Sequence, residues 1–156
     1  MHSVIFICTA NICRSPMASG LFRQIVMQKG DATEWKIDSA GIWVNEGQSL
    51  SEGTLTVLNK RGIEITSHSA KKITRELLES FALILSMERG QKESIQFEFP
   101  DLKNRVYQLS EMIEQEFNIE DPYGRSEMEF ERTAKLMERL LTDGYQKIDF
   151  LSSKSE

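Results

Sequence analysis

The feature that most constrains this chain is a short apolar run that ends on a cysteine and leads directly into a helix start. Ser3-Val4-Ile5-Phe6-Ile7 reads as a buried strand. The segment Cys8-Thr9-Ala10-Asn11-Ile12-Cys13-Arg14-Ser15 follows, and then comes Pro16. Proline suits the first turn of a helix, where its missing N–H would have no partner anyway. The order is therefore strand, loop, helix, and the loop carries the spacing Cys, five residues, Arg, Ser.

The rest of the chain alternates in the same way. A helix is predicted over Met17 to Gln28, with Leu21, Phe22 and Ile25 facing inward. Trp35 to Ser39 reads as a second strand, broken by Gly41. Ser51 to Lys60 reads as a helix with Leu55 and Leu58 inward and Gly62 beyond its end. Thr74 can cap Glu76-Leu77-Leu78, Phe81 to Leu85 is a third strand, and Glu88 to Gln96 is a helix. Arg105-Val106-Tyr107 is a short fourth strand. Ser126 and Glu129 have capping-box spacing ahead of a stripe made of Phe130, Ala134, Met137 and Leu141. From Gly144 onward the pattern is weak, and Lys154 to Glu156 is expected to fray. Alternating strands and helices predict an α/β fold, a Rossmann-like four-stranded parallel sheet covered on both faces. With no repeat or linker, residues 1–156 read as a single domain. Ligands of such sheets bind beyond the carboxyl ends of the strands, which is where the Cys8–Ser15 loop falls.

A loop in this position turns consecutive backbone N–H groups toward one point, and the helix N-terminus adds partial positive charge. Thr9, Ala10, Asn11, Ile12, Cys13, Arg14 and Ser15 are thus candidate phosphate binders. The planar fork of Arg14 can grip two phosphate oxygens at once. Thiols in such positive surroundings lose their proton readily, which makes Cys8 a candidate nucleophile. Ser15 could hydrogen-bond the thiolate when it leaves. A cysteine ending an apolar strand is otherwise an ordinary buried hydrophobe; its place between a strand and a proline-started helix favours the chemical reading.

The bulk numbers narrow the classes further. The net charge is −5, which argues against nucleic acid. No apolar run is long enough to span a membrane, and the first residues lack the basic start of a signal peptide. Two cysteines and two histidines make neither a disulfide framework nor a closed zinc site. The expectation is a reduced, cytoplasmic protein that uses no metal and no cofactor.

Val4 to Ala18, read as Val-Ile-Phe-Ile-Cys-Thr-Ala-Asn-Ile-Cys-Arg-Ser-Pro-Met-Ala, resembles the opening of the low-molecular-weight protein tyrosine phosphatases. Asp38-Ser39-Ala40-Gly41, Ser67-His68-Ser69-Ala70, Leu83-Ile84-Leu85-Ser86-Met87 and Asp121-Pro122-Tyr123-Gly124 match further landmarks of that family. The resemblance implies hydrolysis of phosphotyrosine in protein substrates, by a monomer or weak dimer, through a phosphocysteine on Cys8. It implies Arg14 as phosphate clamp and Asp121 as general acid, later base. Alone, Asp121-Pro122 would read as a turn. Asn11, Ser15, Ser39 and His68 resemble the network that locks the phosphate loop, and Asn tolerates a left-handed backbone there. Cys13 resembles the second loop cysteine, able to form a protective disulfide with Cys8 under peroxide, or else simply packs. Ile12, Tyr123 and Trp43 are candidate walls for a flat ring, although Trp43 could equally be an ordinary partly buried aromatic.

Several positions depart from the family. Ala10 stands where Gly is usual, at a cost if the position needs positive φ. Lys71 replaces Arg and Glu88 replaces Asp, changes expected to touch only packing or surface contacts. Gly124 lacks a second aromatic found in some relatives, so the slot should be more open. The resemblance leaves a sister activity open, protein-arginine phosphatase. There Ile12 discriminates: relatives specific for arginine place Thr at this position, and an apolar side chain suits a phenyl ring better than a guanidinium. A thiol-based arsenate reductase would need later redox cysteines, and none follows Cys13. The complete set of Cys8, Arg14 and Asp121 speaks against an inert phosphate-binding module.

Overall fold

Alternate residues of the first strand go to opposite sides of the sheet, and both sides are apolar. In the computed structural model, which describes residues 1–153, Val4 and Phe6 join one buried cluster while Ile5 and Ile7 join another. A strand with two buried faces must lie inside a sheet covered by helices on both sides. Strand β1 (His2–Cys8) is indeed central, in a four-stranded parallel sheet of order β2-β1-β3-β4. Its partners are β2 (Trp35–Gly41) and β3 (Leu83–Ser86), and β4 (Val106–Gln108) closes the far edge. Helices α1 (Arg14–Gln28), α2 (Glu52–Lys60), α5 (Glu127–Asp143) and α6 (Tyr145–Ser152) supply the larger cluster, including Met17, Leu58, Met137 and Ile148. Helices α3 (Arg75–Glu79) and α4 (Arg89–Glu98) supply Leu78 and Ile95 to the smaller one. The chain leaves β1 toward β2 and later returns on the other side of β1 with β3. The loop after β1 therefore lies at the switch point of the sheet, where a crevice opens beyond the strand ends.

The predicted caps Thr74 and Ser126 each accept a backbone N–H from the first turn of α3 and α5, and Ser51, read as the first helical residue, caps α2 in the same way. Phe130, Ala134, Met137 and Leu141 are all buried. Some expectations are corrected. Gly41 does not break β2; it is the last residue, paired with Cys8. A Cβ there would stand 2.6 Å from the Thr9 carbonyl oxygen, so glycine is required because the loop crosses it closely. Leu55 is exposed; Thr54, Val57 and Leu58 face inward, one step round the helix from the predicted stripe. Phe81 is buried but precedes β3. The full reciprocal capping boxes are Glu88 with Gln91 and Gln108 with Glu111, rather than Ser126 with Glu129. The weakly patterned stretch after Gly144 is helix α6, whose Ile148 and Leu151 are buried. The fraying expected at 154–156 lies outside the described residues.

Candidate active site

Helix α1 opens with no side chain capping it and no acidic residue in its first turn. Its N–H groups are therefore left facing the loop that precedes it. At the other end of that loop, Cys8 closes β1 and is 2% exposed. Its Sγ receives the Asn11 N–H at 3.3 Å and lies 3.0 Å from Ser15 Oγ. Ser15 Oγ also accepts from Asn11 Nδ2 and lies 3.3 Å from the Ala40 carbonyl. Its single proton has two destinations, Sγ and that carbonyl, so a charged sulfur can draw it without other rearrangement.

The loop is held open by a saturated asparagine. Asn11 sits at φ 61°, the left-handed conformation its type tolerates. Its Nδ2 donates to Ser15 Oγ and Ser39 Oγ, both at 2.9 Å, and its Oδ1 accepts the Lys71 N–H at 3.0 Å. The Asn11 carbonyl lies 2.7 Å from His68 Nε2; a carbonyl only accepts, so His68 carries its proton on that nitrogen. The four supporting residues, Asn11, Ser15, Ser39 and His68, are thus brought together as expected. The positive φ belongs to Asn11 and not to Ala10, so the condition under which Ala10 would carry strain is not met. The Lys71 side chain makes a partly exposed ion pair with Asp38 at 2.7 Å, a surface contact as expected, while its backbone N–H anchors Asn11.

Arg14 is the most telling group. Its side chain is 2% exposed. Nη1 donates to Glu88 Oε2 and, at 2.7 Å, to the Ile119 carbonyl. Nη2 lies 3.8 Å from Asp121 Oδ2, and Nε is buried with no hydrogen-bond partner among the described residues. One corner of the guanidinium is thus fixed while its Nε–Nη2 edge is left free for a ligand, and an oxyanion with two oxygens fits that edge. Glu88 was expected to make only packing or surface contacts; it instead pairs with the buried Arg14 Nη1. Its position directly beyond β3, at a carboxyl end of the sheet, was the signal for it.

A cavity of about 220 Å³ opens above this floor, lined by Cys8, Ala10, Ile12, Cys13, Arg14, Gln48, Asp121 and Tyr123. Asp121 is half exposed across the mouth, with Oδ1 accepting the Tyr123 N–H at 3.0 Å. Ile12 and Tyr123 form walls as predicted. Trp43 does not: it is 81% exposed and outside the lining, and only its backbone N–H reaches Thr9. Gln48 was not anticipated, because nothing in its sequence neighbourhood marks it. Cys13 donates to Ser51 Oγ at 3.1 Å, and burial pushes its thiol up to about 11. Among the described residues, no group of side chains is arranged to hold a metal ion.

Comparison with known proteins agrees with this geometry. The family model described as low molecular weight phosphotyrosine protein phosphatase matches residues 3–150. A low molecular weight protein-tyrosine-phosphatase of Acinetobacter johnsonii is 33% identical over 141 residues, 90% of this chain and 94% of that one. A protein-arginine-phosphatase of Bacillus subtilis is 31% identical over 139 residues, 88% of this chain and 91% of that one. The solved low molecular weight protein tyrosine phosphatase from T. tengcongensis superposes with a TM-score of 0.89 at 33% identity, covering 94% of this chain and 99% of that one.

Proposed function

This chain belongs to the low molecular weight phosphotyrosine protein phosphatase family, and on that premise we propose that it hydrolyses phosphotyrosine in proteins through a phosphocysteine on Cys8. The observation that carries the reading is the buried Nε–Nη2 edge of Arg14, with no hydrogen-bond partner on Nε and only Asp121 Oδ2 at 3.8 Å from Nη2, in the cavity that Cys8 also lines. A phosphate on that edge and on the loop N–H groups presents its phosphorus to the sulfur. The Cys8 thiolate forms the S–P bond as the P–O bond to the aryl group breaks. Asp121, across the mouth, gives its proton to the departing oxygen and then takes one from the water that cleaves the S–P bond. Ser15 hydrogen-bonds the sulfur as it leaves. The chain acts as one domain, and its need for a reduced thiol fits the cytoplasm; it works as a monomer or weak dimer. Among the described residues no helix is long and apolar enough to cross a membrane.

Phosphotyrosine is preferred over phosphoarginine because Ile12 lines the cavity with an apolar surface. A ring against that wall gains about 1–3 kcal/mol, or about 10- to 200-fold, over a guanidinium stripped of water. The test is a panel of phosphotyrosine and phosphoarginine peptides in EDTA, with vanadate as inhibitor. The expected result is metal-independent, vanadate-sensitive hydrolysis that favours phosphotyrosine, with Ile12→Thr moving the ratio toward phosphoarginine. Faster clearance of phosphoarginine by the parent enzyme would hand the function to the arginine reading.

The same reading gives Cys13 a protective role under peroxide. The Cys8 thiolate attacks one peroxide oxygen and the O–O bond breaks, giving sulfenic acid and hydroxide; the Cys13 thiolate then attacks the Cys8 sulfur, forming the S–S bond and expelling a second hydroxide. Because the Cys13 thiol is raised to about 11, its thiolate fraction grows about tenfold per pH unit through neutrality. Disulfide formation, measured by mass spectrometry, is therefore expected to speed up about 100-fold between pH 7 and 9. At pH 7 a sulfenic-acid trap should capture Cys8 first. A rate that does not change with pH, or Cys13→Ser protein that still recovers fully with reductant after prolonged peroxide, would end this role.

A further inference from the structure

The two ends of the phosphate loop are joined through one side chain that lies outside it. Gln91, in the first turn of α4, is 5% exposed. Its Oε1 accepts two backbone N–H groups, from Met87 at 3.0 Å and from Glu88 at 2.9 Å. Its Nε2 donates to Thr9 Oγ1 at 3.0 Å. The same amide thus grips the residue after Cys8 and the backbone of Glu88, whose carboxylate holds Arg14. The path runs from Thr9 through Gln91 and Glu88 to Arg14, closing a ring with the loop itself. A phosphate must be met by the loop N–H groups and by the Arg14 edge together, so the span between them sets how well it is held.

We infer that Gln91 is a positioning residue for the reaction, fixing the width of the phosphate loop by tying Thr9 to the start of α4. The inference rests on the proposed phosphatase reading but concerns residues that never touch the substrate's phosphorus. The Thr9 carbonyl already accepts the Trp43 N–H on the β2 side. The Gln91 bond therefore fixes Thr9 from the opposite side, that of β3 and α4. Both of Gln91's functions lie on one amide, and a leucine or methionine could supply neither.

The experiment compares Thr9→Val, Thr9→Ser, Gln91→Met and the Thr9→Val/Gln91→Met double variant. Phosphate and vanadate dissociation constants are measured beside kcat and KM, with circular dichroism to confirm folding. Thr9→Val removes one hydroxyl at nearly constant shape and leaves the α4 end intact, so it stays informative even where Gln91→Met unfolds. Expected is a loss of about 5- to 30-fold in phosphate affinity and in kcat/KM for Thr9→Val, the worth of one or two hydrogen bonds. Thr9→Ser, which keeps the hydroxyl, should recover most of what Thr9→Val loses, and the double variant should be no worse than Gln91→Met alone. Parent-like phosphate affinity in Thr9→Val, or losses that multiply in the double variant, would overturn the inference. An inactive parent that still binds phosphate, with Thr9→Val weakening it, would instead overturn the phosphatase reading and leave this one standing.

Discussion

Cys8→Ser protein is expected to lose at least about 10,000-fold in kcat on para-nitrophenyl phosphate while keeping phosphate affinity within about threefold. The two halves of this result come from different parts of the site. On the proposed mechanism binding falls to the open N-terminus of α1 and the Nε–Nη2 edge of Arg14, and a serine at position 8 leaves both in place. Turnover needs an anionic nucleophile beneath the phosphorus, and an alcohol near neutral pH is almost wholly protonated. The nearest base for it is Ser15, itself a hydroxyl, so the serine has no group to take its proton. Arg14→Ala should behave oppositely, losing affinity and rate together, and it should also free Glu88 as an unpaired, half-buried carboxylate beside the loop. Substantial steady-state hydrolysis by pure Cys8→Ser protein would remove Cys8 as nucleophile. Loss of phosphate affinity in that variant would mean that the sulfur helps to shape the loop, through its contacts with Asn11 and Ser15.

What could be read from sequence and what could not follows from how local each cause is. The β1–loop–α1 unit was legible because its determinants are neighbours in the chain: an apolar strand, a fixed Cys-to-Arg spacing and Pro16. The position of the site was legible as well, since strand and helix alternation places a crevice beyond the carboxyl ends of the sheet. The residues that hold the loop from a distance were less so. His68, Lys71, Glu88 and Gln91 reach it from segments that are remote in sequence, and only resemblance pointed to His68. Glu88 reads from sequence as a packing or surface residue because a change of side-chain length looks conservative without a partner in view; its partner is the buried Arg14. Trp43 shows the converse. An aromatic residue just after β2 invites placement in the pocket, yet the chain carries its side chain outward while its backbone does the bonding. Helix α6 was missed because its buried residues, Ile148 and Leu151, are few and its start has no capping side chain.

Asp121→Ala should reduce kcat on alkyl-substituted aryl phosphates by about 100- to 10,000-fold, the range for losing a general acid. The size should depend on the leaving group. A phenolate of ordinary basicity needs a proton as it departs, whereas a strongly acidic phenol leaves as its anion. In the parent enzyme, kcat should vary little with leaving-group acidity; in the variant it should fall steeply as the leaving group becomes more basic. Geometry supports the assignment in three ways. Asp121 lines the same cavity as Cys8, its side chain is half exposed, and its Oδ1 is pinned by the Tyr123 N–H. That last bond leaves Oδ2 as the oxygen free to carry the proton, and Arg14 Nη2 approaches it at 3.8 Å. Asp121→Asn separates this role from a turn-forming one. The amide preserves the hydrogen bond from Tyr123 and the Asp-Pro type of turn, yet it has no proton to give. Asn should therefore match Ala in its steep leaving-group dependence, while an equal loss for every leaving group would make Asp121 structural rather than chemical.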